Sequence, residues 1–263
     1  MQTYRVHAYN TAQESENKIH DDAVAKRFGF TGGLVPGVDV YAYMTQPPVA
    51  RWGRAWLERG TADCRFDRPV YDGKFADVVP TADGDGMTLH VTSEGLACAT
   101  GRADFPAAEV APPLSAFPER APPAERPSAS EASLPVGAFF GMTPVLYDEE
   151  LATKYLRDLR ETLPLYAAEK IVHPGFILRM GNWVLSANVK LGPWIHVGSQ
   201  VRHFATGSVG DIIEGRAQVA ANYTHKGHKF VELDVLVLAN GQKPLARIRH
   251  TAIYLPRQVA EAA

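Results

Sequence analysis

Apolar and polar residues alternate along this chain in short runs, a pattern typical of antiparallel strands with one buried face. Turn-forming pairs such as Asp-Gly, Glu-Gly, Lys-Gly and Asn-Gly separate most of the runs. The runs cover residues 64–71, 74–80, 87–93 and 96–105, and then 195–205, 211–223, 230–239 and 244–255. The pattern therefore predicts two sets of antiparallel strands, one in each part of the chain.

Each set of strands follows a segment that favours a helix. The first such segment covers residues 37–59, after a short strand-like segment at 4–9, and the second begins near Gly175. Each half is thus predicted to consist of one helix followed by an antiparallel meander.

A segment rich in Pro, Ala, Ser and Glu, residues 106–135, separates the two halves. Its repeated prolines fix φ and remove hydrogen-bond donors, so we expect an extended linker that lies over the surface or bridges the halves. The predicted domains are an N-terminal one over residues 1–105, this linker, and a C-terminal one over residues 136–263.

The two halves match when one is displaced by 138 residues, from Pro36 to Pro174. The identical pairs are Pro36 and Pro174, Gly37 and Gly175, Trp56 and Trp194, Gly60 and Gly198, and Phe66 and Phe204. A buried helix and the strands that cover it are both satisfied when each sheet wraps its own helix and the two sheets pair. The expected fold class is α+β: a double hot-dog, with two antiparallel sheets each wrapped round a central helix.

Composition narrows the classes of function. The chain has 263 residues, of which 46% are hydrophobic, and its 27 basic residues are scattered among 29 acidic ones. We therefore expect a folded protein with no nucleic-acid or membrane partner. Two isolated cysteines, Cys64 and Cys98, favour reduced thiols, and the sequence shows neither a leader-like start nor a long apolar run, so we expect a cytoplasmic location.

One segment of the first half carries a distinctive set of polar residues. It reads Asn17-Lys18-Ile19-His20-Asp21-Asp22 and continues to Leu34-Val35-Pro36-Gly37. This segment resembles the start of MaoC-like dehydratases and R-specific enoyl-CoA hydratases, whose pattern D-x-N-P-[IL]-H leads into the central hot-dog helix. In the second half, His173-Pro174-Gly175 and the runs 191–196 and 250–254 resemble double hot-dog members of the same superfamily.

The resemblance implies a set of site residues. It implies catalytic roles for His20 and Asn17 and an oxyanion-binding amide at Gly37. The residues implied to contact substrate are Val35, Pro36 and Tyr41. No cofactor and no metal are expected.

The chain departs from the family pattern at the catalytic aspartate, whose position is taken by Ser15. We keep Ser15 as a candidate site residue, although a hydroxyl cannot replace a carboxylate as a base. The carboxylates nearest to it in sequence are Glu14, Glu16, Asp21 and Asp22. The sequence leaves open whether one of them takes the vacant place.

The residue types suit the chemistry of hydration. Adding water to a 2-enoyl thioester requires a base for the water, a proton donor for the α carbon and stabilisation of the enolate oxygen. A histidine suits the first two tasks near neutral pH, and a free amide at a helix N-terminus suits the third. Each feature also has a structural interpretation, because Asn17 and His20 can close a turn and Pro36-Gly37 can be an ordinary helix start.

Other motifs are less informative. His173, His196 and His203 are potential metal ligands by type, but they lie on different predicted elements without a carboxylate at ligand spacing. The four tryptophans are explained by packing. The Gly-rich segment 29–33 lacks the Gly-Lys-Ser/Thr ending of a phosphate loop, and the chain has no G-x-S-x-G motif.

The resemblance implies a lyase that hydrates a 2-enoyl thioester or dehydrates a 3-hydroxyacyl thioester carried by coenzyme A or an acyl carrier. At the offset of the repeat, Asn17 and His20 fall on Tyr155 and Asp158, so we expect one site per chain. Two alternatives remain open: a hot-dog thioesterase, in which a carboxylate activates water against the thioester carbonyl, and a non-catalytic acyl-thioester binder. Assembly into a homodimer is also left open.

Overall fold

The architecture is described from a computed structural model of the chain. The structure describes residues 1–257 apart from 14, 21, 28 and 29, with all their side chains except those of residues 18, 22, 23 and 27. The α-helices are α1 (Asp22–Arg27), α2 (Gly37–Trp52), α3 (Arg54–Arg59), α4 (Glu149–Leu159), α5 (Leu165–Glu169) and α6 (Pro174–Asn188). Short 3₁₀ turns cover Lys18–His20 and Leu114–Ala116.

The strands form one antiparallel sheet that runs through both halves. They are β1 (Tyr4–His7), β2 (Thr61–Phe66), β3 (Phe75–Asp83), β4 (Gly86–Ser93), β5 (Leu96–Asp104), β6 (Phe139–Phe140), β7 (Val145–Leu146), β8 (Ile195–His203), β9 (Ile212–His225), β10 (His228–Ala239) and β11 (Lys243–Leu255). Their order is β1-β3-β4-β5-β2-β8-β11-β10-β9-β6, with β7 paired to β9. The halves join where β2 pairs with β8, from Thr61 opposite Arg202 to Arg65 opposite Gly198.

The two long helices lie against each other in the interior. Helix α2 packs on the strands of the first half and on β8, and α6 packs on β9, β10 and β11. Both begin at the Pro-Gly pairs that the internal repeat aligned, Pro36-Gly37 and Pro174-Gly175. The predicted α+β double hot-dog is confirmed, with the two halves of the sheet continuous across β2 and β8.

Differences from the sequence-based elements are confined to particular places. The helix predicted over residues 37–59 is interrupted at Gly53, which has a φ of 60° and ends α2 before α3 begins. Helix α4 was not predicted; Asp148 caps it by accepting a hydrogen bond from the amide of Leu151 at 2.8 Å. Cys64 and Cys98 are free, buried thiols, which agrees with the expected reduced state.

The Pro-rich segment follows the surface of the second half. Phe117 is buried against Leu236 and Leu238 of β10, and further along Ser128 forms a parallel bridge with Lys190 after the end of α6. The segment thus crosses a sheet face and then reaches the last turn of the second central helix. Within the described residues, no helix is long and apolar enough to span a membrane.

Candidate active site

A cavity of about 560 Å³ opens between the two halves, beside the start of α2 and along one face of α6. Four of the residues predicted for the site line it: Ser15, Asn17, His20 and Pro36. Residues of α6 and of the segment 189–194 form the opposite wall, and Arg126 of the Pro-rich segment also contributes. The cavity is therefore built from both halves and the linker.

His20 has one ring nitrogen fixed and the other available. Its Nδ1 lies 2.8 Å from the carbonyl oxygen of Leu34, so Nδ1 carries the proton and donates it to that bond. Nε2 then holds the lone pair, and it has no hydrogen-bond partner within the described part of the chain. Burial lowers the pKa of His20, against the opposing effects of the Leu34 hydrogen bond and the charge of Asp39, so the ring is neutral near pH 7.

The turn that carries His20 is braced from both halves. Asn10 donates from Nδ2 to the carbonyl oxygen of His20 at 2.9 Å. Asn17 pairs with the backbone of Trp194: its Nδ2 donates to the carbonyl at 3.1 Å, and its Oδ1 accepts from the amide at 3.4 Å. These two bonds occupy the Asn17 amide, so its geometry is that of a residue that joins the turn to the second half.

Ser15 and Glu16 each bind partners other than His20. The Ser15 hydroxyl donates to the carbonyl of Asn17 at 3.2 Å, within the same turn. Glu16 is 77% exposed and lies 2.9 Å from Arg126. The other carboxylates near the motif, Glu14, Asp21 and the side chain of Asp22, lie outside the described residues.

The start of α2 presents unpaired amides beside the cavity. Pro36 and Val38 line the cavity, and the amides of Gly37 and Val38 donate no hydrogen bond to any part of the chain that the structure describes. A Cβ on Gly37 would lie 3.0 Å from both Nδ1 of His196 and Cε2 of Phe66, so a larger residue here would require these two side chains to shift. Val35 and Tyr41 are buried and lie outside the described cavity wall.

A buried ion pair links the two central helices next to the cavity. Asp39, in the first turn of α2, is fully buried, and its Oδ1 accepts a hydrogen bond from Nη2 of Arg179 on α6 at 2.7 Å. Thr11 lies between them, donating to Oδ2 of Asp39 at 2.5 Å and accepting from Nη2 of Arg179 at 2.7 Å. Thr11 and Arg179 both line the cavity.

Helix α6 carries site residues that sequence reasoning missed. Its cavity-facing residues are Arg179, Asn182, Trp183, Ser186 and Ala187. They follow the i, i+3, i+4, i+7, i+8 spacing of one helical face. Polar residues at that spacing in an otherwise apolar helix are a signal that a sequence can show. The helix was interpreted only as a buried core element, so this signal was not used.

The other histidines have separate surroundings. His173 caps α6, since its Nδ1 accepts from the amide of Gly175 at 3.0 Å while Nε2 lies 3.0 Å from Glu161. His196 and His250 stack with ring centroids 4.2 Å apart and share the hydroxyl of Ser199. Over residues 1–257 without the four undescribed positions, no group of three His, Cys, Asp or Glu side chains could hold a metal ion.

Comparisons with known proteins bear on the fold. No family model matches the chain, and no curated protein does. A conserved hypothetical protein of Mycobacterium tuberculosis, described as having a double hot-dog fold, is similar with a TM-score of 0.61 and 14% identity over 96% of this chain and 95% of that chain.

Two further structures extend the comparison. A MaoC domain protein from Chloroflexus aurantiacus, proposed to be a dehydratase, matches with a TM-score of 0.59 and 14% identity over 97% of this chain and 95% of that chain. A protein proposed to be a thioesterase, from Novosphingobium aromaticivorans, matches with a TM-score of 0.51 and 10% identity over 85% and 89%. At these identities the chain shares with them the double hot-dog fold, in which MaoC-like dehydratases and thioesterases are both found.

Proposed function

We propose that the protein is a hydro-lyase that interconverts a 2-enoyl thioester and the corresponding 3-hydroxyacyl thioester, with coenzyme A or an acyl carrier as the thiol. The observation that carries the proposal is the state of His20. Its proton is fixed on Nδ1 by Leu34, and its lowered pKa leaves Nε2 unprotonated in a residue that lines the cavity. Val38, one of the two residues with an unpaired amide at the start of α2, lines the same cavity.

Both proton transfers can be assigned to this single imidazole. In the hydration direction, Nε2 of His20 takes a proton from water as the water oxygen bonds to C3 of the enoyl group. The electrons of the double bond move toward the thioester oxygen, where the N–H groups of Gly37 and Val38 and the helix N-terminus stabilise the enolate. The imidazolium then returns the proton to C2, so one water is added across the double bond and His20 is regenerated.

The chemistry explains how the site can work with Ser15 in the aspartate position. A carboxylate beside the histidine is replaced here by the Leu34 carbonyl, which selects the tautomer and orients the ring. Asp39 adds a negative charge whose effect is to raise the pKa of His20, although burial has the larger effect.

The thioesterase alternative requires a carboxylate that is free to activate water. Asp39 is at the entrance to α2, but its two oxygens accept hydrogen bonds from Arg179 and Thr11. Glu16, the carboxylate among the residues that line the described cavity, pairs with Arg126 and is largely exposed. These contacts favour the lyase.

A panel of trans-2-enoyl-CoA and 3-hydroxyacyl-CoA thioesters tests the proposal, with enoyl absorbance and free thiol followed together. We expect reversible loss of the enoyl chromophore without thiol release. Thiol release at a rate equal to substrate loss would establish the thioesterase instead, and saturable binding with neither signal would identify a non-catalytic binder.

A further inference from the structure

The polar face of α6 has no task in the proton transfers proposed above. Arg179, Asn182 and Ser186 line the cavity from a helix whose remaining residues are mostly apolar. A pocket for a plain alkyl chain is lined by apolar side chains, because a polar group that loses water without gaining a partner costs free energy. The polar face therefore indicates an acyl group that brings polar atoms of its own.

Arg179 has hydrogen-bond donors to spare. Its Nη2 donates hydrogen bonds to Asp39 and Thr11, while Nε and Nη1 donate to no acceptor in the described part of the chain. The side chain is only 15% exposed, and its Cζ lies 4.5 Å over the ring of Tyr155, which fixes the plane of the guanidinium. A planar, immobilised cation with unused N–H groups at a cavity wall is a site for an oxyanion.

Asn182 adds a second polar group without a partner. Its Oδ1 is buried and has no hydrogen-bond partner among the described residues, although the side chain lines the cavity. Most buried polar atoms in proteins are paired, so an unpaired one beside a cavity indicates that a ligand completes it. Because rotating an amide by 180° exchanges its oxygen and its NH₂ group, Asn182 can also donate to an anion.

The position of Arg179 limits the length of the acyl group. Its partner Asp39 is in the same first turn of α2 as Gly37, whose amide is proposed to bind the thioester oxygen. An anion held by Arg179 would therefore lie a few bonds from the thioester. Asp39 already balances the charge of Arg179, so recognition depends on the directed N–H donors.

We propose that the polar face of α6 selects short acyl thioesters that carry a second carboxylate, with Arg179 binding that carboxylate and Asn182 completing its hydrogen bonds. This inference rests on the proposed function for the identity of the thioester site. It extends that function by naming the substrate class, a monothioester of a short dicarboxylic acid.

Binding of two saturated thioesters of equal length, which have no double bond to hydrate, tests the inference without relying on turnover. Succinyl-CoA and butyryl-CoA differ by a carboxylate in place of a terminal methyl group, and their affinities are measured by calorimetry on the intact protein. We expect the wild-type protein to bind succinyl-CoA at least about tenfold more tightly, a difference of about 1.4 kcal/mol. Equal affinities, or tighter binding of butyryl-CoA, would overturn the inference.

Two variants test whether residues of α6 cause the preference for succinyl-CoA over butyryl-CoA. Asn182→Leu should reduce it several-fold, and the double variant Asp39→Asn, Arg179→Met, which removes both members of the ion pair, should abolish it. The matched control is Arg54→Met, since Arg54 is also paired with carboxylates but does not line the cavity. If Asn182→Leu and any folded Arg179 variant keep the wild-type preference, the assignment to α6 is wrong.

The ratio of kcat/KM for fumaryl-CoA and crotonyl-CoA separates this inference from the proposed function. A higher value for fumaryl-CoA supports both. A binding preference for succinyl-CoA without hydration of either enoyl thioester would refute the lyase and leave the carboxylate site in place. Hydration with a higher kcat/KM for crotonyl-CoA would support the lyase and refute the carboxylate site.

Discussion

His20 illustrates how much a single side chain can depend on one backbone carbonyl. The hydrogen bond to Leu34 fixes the tautomer, and burial lowers the pKa, so the two together keep Nε2 unprotonated near neutral pH. The sequence motif predicts a catalytic role for this histidine, and the structure places the residue at the cavity. The motif could not predict Arg179 or Asp39, because those residues meet only when the two central helices pack against each other.

Replacing His20 with alanine should lower kcat by about 10² to 10⁴, the range for a positioned acid-base group, with little change in thioester affinity. In the wild type, kcat/KM should fall on the acid side with an apparent pKa below 6.5, because the base must be unprotonated and burial shifts the pKa down. Stopped-flow hydration assays across pH measure both quantities.

The control for that experiment is the folding of the variant. If His20→Ala keeps its activity, or loses it only because the free energy of unfolding collapses, then His20 closes a turn and other residues carry the reaction. Ser15→Asp is an informative companion, since a carboxylate at that position should increase hydration if the motif keeps the geometry of the family it resembles.

At the level of elements, the two central helices begin in different ways although both follow a Pro-Gly pair. Helix α2 leaves its first amides unpaired beside a cavity, whereas α6 is capped by the His173 side chain. The repeat in sequence predicted both helix starts. It could not predict this difference, because the cap depends on Glu161, which reaches His173 from the unpredicted segment after α4.

His173→Ala should lower the free energy of unfolding by about 2 to 4 kcal/mol. The variant loses the helix cap and leaves the buried carboxylate of Glu161 without its imidazole partner. Urea unfolding followed by circular dichroism measures the change. His90→Ala, at an exposed position of β4, serves as the control and should stay within about 0.5 kcal/mol of wild type. A loss of the same size in both variants would contradict the capping role.

Strands and turns were easier to predict than the segment between the linker and α6. Alternation and Gly-containing turns gave β4, β5 and β8 to β11 to within two residues at each end, because period-2 burial is visible in a single sequence. Helices α4 and α5 and the two-residue strands β6 and β7 escaped because short, half-exposed elements have weak periodicity and are specified by tertiary contacts.

For the whole molecule, the junction between the halves contains histidines that folding keeps neutral. His203 on β8 and His250 on β11 are almost fully buried, and burial lowers their pKa values to about 4 and about 3. His196, stacked on His250, has its pKa lowered by burial and by that neighbour. In the unfolded chain each histidine would titrate near 6.5.

Stability should therefore fall as the pH drops below about 6.5, because the unfolded state then binds protons that the native state excludes. The contribution is complete above 6.5 and is lost between 6.5 and the native pKa values, at about 1.4 kcal/mol per pH unit for each histidine. Urea titrations at pH 7, 6 and 5 measure the slope. His203→Gln should reduce this slope by the contribution of one histidine, whereas His90→Gln, at an exposed position, should leave it unchanged. An unchanged slope in His203→Gln would show that the ring does not titrate between the two states.

Joining the halves through β2 and β8 within one chain has a consequence for how such a protein can change over evolution. In a symmetric pair of identical subunits, every substitution appears twice, so a residue that improves recognition on one side is also imposed on the chemistry of the other. Here a mutation at Asn182 or Ser186 of α6 changes one wall of the cavity and is not repeated at the turn of His20, whereas Arg179 is bonded to Asp39 and Thr11 of the first half. Acyl specificity can thus change at Asn182 and Ser186 without a matching change in the half that carries the base, and only a change at Arg179 requires compensation there, at Asp39.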